Sequence, residues 1–241
     1  MQIPKWLRYL ALAAALVVAV GTRSYSSDGV MKDPKASWNK IFDNPGYIFG
    51  TEPIPFLVDN LDLIPPQGRA LELAMGEGRN AVYLAQKGFK VTGVDISEVA
   101  AKKCKSLAAR RKVDVEVVIA DLRDYKIQPN TYDLITNFYF PQPDLIPKIK
   151  EALKPGGFFM YEQWRPYRGG LGFPGGSSGA GSGGDVYQYS DVGRDELLNQ
   201  FRDYRVHLYR EAIVNHAITG TPGRGLLMSE VISLIAQKPF D

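Results

Sequence analysis

Two glycines one residue apart, Gly76 and Gly78, sit in the run Leu71-Glu72-Leu73-Ala74-Met75-Gly76-Glu77-Gly78-Arg79-Asn80, where a hydrophobic stretch gives way to helix-forming residues. Without Cβ atoms they let a ligand lie on the backbone itself, and they permit the positive φ values that a tight strand-to-helix turn needs. With Ala81 the spacing also satisfies the looser dinucleotide fingerprint G-x-G-x-x-G/A, so the glycines alone leave more than one adenosine ligand open. Asp95 closes the next hydrophobic run, Gly93-Val94-Asp95, and its two carboxylate oxygens can accept from both hydroxyls of a ribose. Asp121, in Ala120-Asp121-Leu122, stands at the end of the third run. There it can take an adenine amine, while the Leu122 amide serves a ring nitrogen. Two acidic strand ends favour adenosine without pyrophosphate.

Glu72 separates the remaining ligands. It lies four residues before Gly76, where S-adenosylmethionine would place an ammonium and a sulfonium. A dinucleotide puts pyrophosphate at that helix N-terminus, where the dipole and free amides favour anions and where Glu72 and Glu77 would be unwelcome. Any one of these acids alone reads as a solvated loop carboxylate. Glu72, Asp95 and Asp121 at three consecutive strand ends are hard to explain separately. Arg79 can hold a cofactor carboxylate or an anionic acceptor, with helix-surface pairing as the plain alternative. Beyond the fourth run, Asn137-Phe138-Tyr139-Phe140-Pro141 stands at the next strand end. Asn137 and Tyr139 are the candidates for positioning there, whereas Phe138 and Phe140 read equally well as core. Glu162, Trp164 and Arg165 follow the fifth run and can line the same mouth. His207 and His216 read as structural.

These residues need a frame that brings strand ends together. Hydrophobic runs at Arg69 to Leu73, Lys90 to Val94, Val115 to Ile119, Leu134 to Asn137 and Phe158 to Gln163 alternate with helical patterns at Asn80 to Gln86, Glu98 to Lys112 and Leu145 to Leu153. That alternation is the signature of βαβ units. A helical face at Trp38, Ile41 and Phe42 and a short helix from Pro55 to Asn60 precede them. A helix at Asp195 to Phe201 and strands at Tyr204 to Ala212 and Leu226 to Gln237 follow, the last two able to pair antiparallel. The expected fold is α/β: a Rossmann-like seven-stranded, mostly parallel sheet with an antiparallel C-terminal strand and helices on both faces.

In 241 residues, 45% of them hydrophobic, one sizeable core is possible. The net charge of +3 comes from dispersed residues, without the basic stripe a nucleic acid requires. The single cysteine, Cys104, excludes an intramolecular disulfide and a thiolate zinc site, and no metal is expected. Lys5 and Arg8 precede the apolar run Tyr9 to Gly21, which reads as a signal sequence or membrane anchor. Thirteen helical residues cover only about 20 Å of a hydrocarbon core about 30 Å thick. The expected organisation is an anchor or signal over 1–21, a tether over 22–36 and a domain over 37–241, with a Gly/Ser-rich loop at 168–185. Because the methyl donor is cytosolic, a membrane anchor with the domain facing the cytosol is expected, with export after signal cleavage as the alternative. Oligomeric state is left open.

From about Trp38 to Pro239 the chain resembles the class I S-adenosylmethionine-dependent methyltransferases, in particular the TehB-like and thiopurine-type group acting on small molecules. The resemblance rests on Tyr47-Ile48-Phe49-Gly50-Thr51-Glu52-Pro53, on Gly76 to Ala85, on Gly88 to Ser97 and on Leu153-Lys154-Pro155-Gly156-Gly157. It implies S-adenosylmethionine as cofactor, contacts from Gly76, Gly78, Asp95, Ile96, Asp121, Leu122 and Asn137, and a small-molecule acceptor such as a thiol, selenium or tellurium compound. Met75 departs from the small residue or cysteine common at its position. An NAD-binding oxidoreductase and a non-catalytic membrane-tethered scaffold are the rival readings.

Overall fold

The computed structural model describes residues 33–166, 195–216 and 227–240. Helix α1 (Pro34–Phe42) starts inside the stretch read as tether, because Asp33 caps it by accepting from the Ala36 amide at 2.9 Å and Pro34 suits its first turn. Helix α2 (Pro55–Asn60) and a single 3-10 turn (Leu61–Leu63) lead into β1 (Gly68–Leu73). Then follow α3 (Arg79–Gln86), β2 (Phe89–Asp95), α4 (Glu98–Arg111), β3 (Val115–Ile119), β4 (Tyr132–Phe138), α5 (Leu145–Ala152) and β5 (Leu153–Pro166). Helix α6 (Glu196–Gln200), β6 (Arg205–His216) and β7 (Leu227–Gln237) complete the described chain.

The sheet has seven strands in the order β3-β2-β1-β4-β5-β7-β6. β7 runs antiparallel to both its neighbours, so the other six strands point one way. The expected Rossmann-like α/β sheet is therefore present, and β6 and β7 pair as anticipated. The expected bounds differ most in β5. β5 begins at Leu153, opposite Tyr132, and the ladder then shifts so that Leu134 faces Phe158. Residues 154–157, which follow the helical pattern Leu145 to Leu153, form a bulge inside the strand.

Alternation sorts the sheet into two buried faces. Leu73, Ile135, Phe159 and Leu234 meet α5 and α6 through Leu145, Ile149, Leu197 and Phe201. Ala70, Leu134, Met160 and Ile235 pack on the other face against Leu57, Leu61 and Leu84. Both layers are dry enough that a charged side chain among them needs a reason.

The expected membrane anchor with a cytosol-facing domain is corrected. Among the described residues no helix is long and apolar enough to cross a membrane. The longest of them, α4, has 14 residues, about 21 Å of helix, and carries several charges. The run Tyr9 to Gly21 and the Gly/Ser-rich 168–185 both lie outside the described residues.

Candidate cofactor site

The C-terminal ends of β1, β2, β4 and β5 form one rim, and the turn after β1 is its centre. Gly76 and Gly78 have φ of 56° and 83°. A Cβ on Gly78 would lie 2.2 Å from Cys104 Sγ, so α4 packs directly on the turn. Met75 is explained by the same kind of fit. Its sulfur occupies the space above Gly93, where a Cβ would come within 2.3 Å of Sδ. The departure at Met75 is thus a packing exchange between β1 and β2.

Asp95 ties the two turns together. Its Oδ2 accepts from the Gly76 amide at 2.8 Å and its Oδ1 from the Ser97 amide at 2.8 Å. Burial raises its pKa, and the amides of Ser97, Gly76 and Ile96 offset part of that rise. Each carboxylate oxygen keeps a second lone pair, the capacity needed for ribose hydroxyls. Ile96, between Asp95 and Ser97, is half-buried.

Glu72 is 2% exposed at the end of β1. Its Oε1 accepts from Asn80 Nδ2 at 2.9 Å, and Asn80 Oδ1 accepts from the Ile54 amide at 3.0 Å. Its Oε2 has no hydrogen-bond partner among the described residues. Burial pushes its pKa up to about 7, against the pull of the Asn80 side chain, the Arg79 charge and the Ala81 amide, with Asp95 adding to the rise. Thr136, opposite Glu72 on β4, also has a buried hydroxyl without a partner among the described residues.

Glu77 has a different role from the one its position suggested. It is 3% exposed and accepts from Lys103 Nζ at 2.8 Å and from the Phe49 amide at 3.3 Å. Its charge is neutralised, so the case against an anionic ligand rests on Glu72. Arg79 donates to the Phe49 carbonyl at 2.8 Å, with its guanidinium 5.9 Å from that ring. Burial lowers the Arg79 pKa, while Tyr139, Glu72 and Glu77 support its charge. Glu77, Arg79 and Asn80 together fasten residues 49–54 over the turn.

On the adenine side Asp121 is held by Arg123, whose Nε lies 3.0 Å from each carboxylate oxygen and whose amide donates to Oδ1 at 2.9 Å. Arg123 keeps the carboxyl below its usual range. A base amine reaching Asp121 therefore shares it with Arg123. The Leu122 side chain is buried in the core.

On the acceptor side Asn137 is 2% exposed and its Oδ1 has no hydrogen-bond partner among the described residues. It lines a cavity of about 10 Å³ with Gln142, Ile146 and Tyr161, about the room of one water. Tyr139 has a φ of 58°, a left-handed conformation that costs an aromatic residue roughly 1–2 kcal/mol. Its hydroxyl donates to Glu162 Oε1 at 2.7 Å, and its amide donates to the Glu162 carbonyl at 2.8 Å. Phe138 is core, packed edge-on against Phe56 at 6.4 Å, and Phe140 packs against the other face. Trp164 and Arg165 lie in β5 opposite Val231 and Glu230. His207 contacts Gln237 Oε1 at 3.0 Å and stacks near Phe158, a structural place.

Two residues of this rim escape a reading of the sequence. Ser233 donates to Glu162 Oε2 at 2.8 Å, and Arg210 Nη2 lies 3.5 Å from the same oxygen. The available signal was a lone hydroxyl in the apolar run Val231-Ile232-Ser233-Leu234-Ile235. Only the strand order shows that Arg210 stands beside it.

Comparison with known proteins agrees with this geometry. A family model described as a methyltransferase domain matches residues 70–157, from β1 to the bulge of β5. The ubiquinone biosynthesis O-methyltransferase of Idiomarina loihiensis is 33% identical over 101 residues, 39% of this chain and 41% of that one. A probable S-adenosyl-L-methionine-dependent methyltransferase of Haemophilus influenzae, TehB, is 29% identical over 109 residues, 42% of this chain and 37% of that one. The chain thus matches less than half the length of these relatives. The crystal structure of TehB from Haemophilus influenzae superposes with a TM-score of 0.62 at 19% identity, over 85% of this chain and 66% of that one. Residues 70–157 thus match a methyltransferase domain, on a fold shared with TehB. The likeness to S-adenosylmethionine-dependent methyltransferases, TehB among them, implies S-adenosylmethionine as the cofactor.

Proposed function

We propose that this protein transfers the methyl group of S-adenosylmethionine to a small-molecule acceptor, such as a thiol, selenium or tellurium compound, by in-line displacement. The observation that carries the reading is the unpartnered, buried Oε2 of Glu72 beside a glycine turn. A buried carboxylate oxygen left unsatisfied is costly, and a cationic group is its natural partner. The amino acid end of S-adenosylmethionine supplies one; a pyrophosphate does not. Gly76 and Gly78 would bear the ligand on the turn, and Asp95 would take the ribose hydroxyls. Ile96, Asp121 and Leu122 would flank the adenine, and Arg79 would stand near the carboxylate end.

The bound cofactor supplies an activated methyl group with a good leaving group. The chain's own work is to orient the acceptor and keep water out. Asn137 and Tyr139 stand at the end of β4, where they can position an acceptor. Tyr139 is held in a strained backbone conformation by Glu162, as positioning residues often are. The TehB resemblance supports a small acceptor, and no basic stripe suits a nucleic acid.

Isothermal titration of the ligand-free protein with S-adenosylhomocysteine and with NAD tests the cofactor half of the reading. Micromolar binding of NAD with no response to S-adenosylhomocysteine would overturn it. Mass spectrometry of a metabolite extract incubated with isotopically labelled cofactor tests the transfer and identifies the acceptor.

A further inference from the structure

Phe138, Glu162, Ser233 and Arg210 form one rung across β4, β5, β7 and β6, each opposite the next. The rung lies at the level where β4 ends and Tyr139 turns over it. Glu162 is 5% exposed and Ser233 fully buried, in a layer otherwise filled by Met160, Ile235 and Phe138. An apolar pair would fill that space without the cost of desolvating a carboxyl. Instead the carboxyl is ringed by donors: the Tyr139 hydroxyl on Oε1, and the Ser233 hydroxyl and Arg210 on Oε2. The guanidinium sits over the Phe56 ring at 6.0 Å and is half-exposed toward solvent.

We propose that Tyr139 and Glu162 form a proton relay serving the methyl acceptor, with Ser233 and Arg210 as the residues that position Glu162. The relay rests on the methyltransferase reading and narrows its acceptor to one whose nucleophilic atom carries a proton at neutral pH, a thiol or hydroxyl rather than an oxyanion. The acceptor atom bonds to the methyl carbon with its lone pair, and the electrons of the methyl–sulfur bond leave with sulfur. The acceptor's proton passes to the Tyr139 oxygen as the Tyr139 proton passes to Glu162. Charge is conserved, since the cofactor's positive charge is lost as Glu162 becomes neutral. Burial raises the proton affinity of Glu162, while Tyr139, Ser233 and Arg210 restrain it. Arg79, on α3, is a further cation whose charge interacts with Tyr139.

The test uses the full chain with labelled cofactor and two acceptors: 2-mercaptoethanol, protonated at neutral pH, and 4-nitrothiophenol, ionised there. Glu162→Gln and Tyr139→Phe are expected to lower kcat about 100-fold more with the first acceptor than with the second. Tyr139→Phe keeps the ring and covers the case in which Glu162→Gln fails to fold. In the ligand-free protein, carbon NMR of the Glu162 carboxyl should titrate above the usual carboxylate range and move higher still in Tyr139→Phe. Equal losses with both thiols would reduce the network to a brace and overturn the relay. So would a carboxyl titration that ignores Tyr139→Phe. Wild-type protein that binds S-adenosylhomocysteine but methylates neither thiol nor any extract component would instead overturn the methyltransferase reading.

Discussion

Replacing Glu72 by Gln removes a buried charge and keeps the side chain's size and its acceptor for Asn80. In the folded wild type the carboxyl holds its proton up to about pH 7, whereas its ordinary value is 4.5. Between those limits the folded state binds more protons than the unfolded chain, so stability falls as pH rises and the loss is complete above the folded value. At about 1.4 kcal/mol per pKa unit, the wild type should lose about 2 to 3 kcal/mol between about pH 5 and about pH 8.5 from this residue alone. Glu72→Gln lacks that term. Urea unfolding of both ligand-free proteins across this range should give curves that lie close at the acidic end. They should separate until the variant is more stable by about 2 kcal/mol at the basic end. Other titrations cancel in the difference. Saturating S-adenosylhomocysteine should reverse the order, because the charged carboxylate is what the ligand's ammonium meets. A constant offset between the two curves at every pH would refute the assignment of this buried charge.

Gly78→Ala should cost about 3 kcal/mol in urea unfolding, because a Cβ would stand 2.2 Å from Cys104 Sγ at a φ of 83°. Combining it with Cys104→Ala should recover part of that loss, and failure to do so would place the strain elsewhere. Asp95→Asn keeps one acceptor oxygen where the wild type has two, each engaged by an amide. Calorimetry should show S-adenosylhomocysteine bound at least about tenfold more weakly, since one charge-assisted bond is worth about 1.5–3 kcal/mol; unchanged affinity would remove Asp95 from the site.

Much of the frame was legible because it follows from local rules. The alternation of short apolar runs with amphipathic segments locates β1 to β4 and the helices α3, α4 and α5 within a residue or two, and the positive φ at Gly76 and Gly78 follows from residue type. Glu72 stood out by its place before the turn, yet its isolation does not. That depends on Lys103, 26 residues further on, taking the charge of Glu77 and leaving Glu72 uncompensated. The bulge at residues 154–157 reads as a helix stop, since Pro-Gly-Gly carries that signal equally well. The Arg210–Ser233–Glu162 rung is invisible in sequence, because it joins strands 71 residues apart at Ser233 and Glu162. The N-terminal apolar run Tyr9 to Gly21 lies outside the described residues. Composition alone called for an anchor that no described helix supplies.

The order β5-β7-β6 has β6 made before the strand that will separate it from β5. Neither β5 nor β6 can complete its ladder on that side until β7 slides between them. The cofactor half, β1 to β4, closes with neighbours already synthesised, apart from the β5 ladder. Assembly should therefore proceed in two stages, with the donor pocket protected from hydrogen exchange during refolding before the Glu162 rung. Pulse labelling should find amides of β1 and β2 protected ahead of those of β6 and β7. On emergence from a ribosome, such a chain would be able to hold its methyl donor before it had anywhere to send the methyl group.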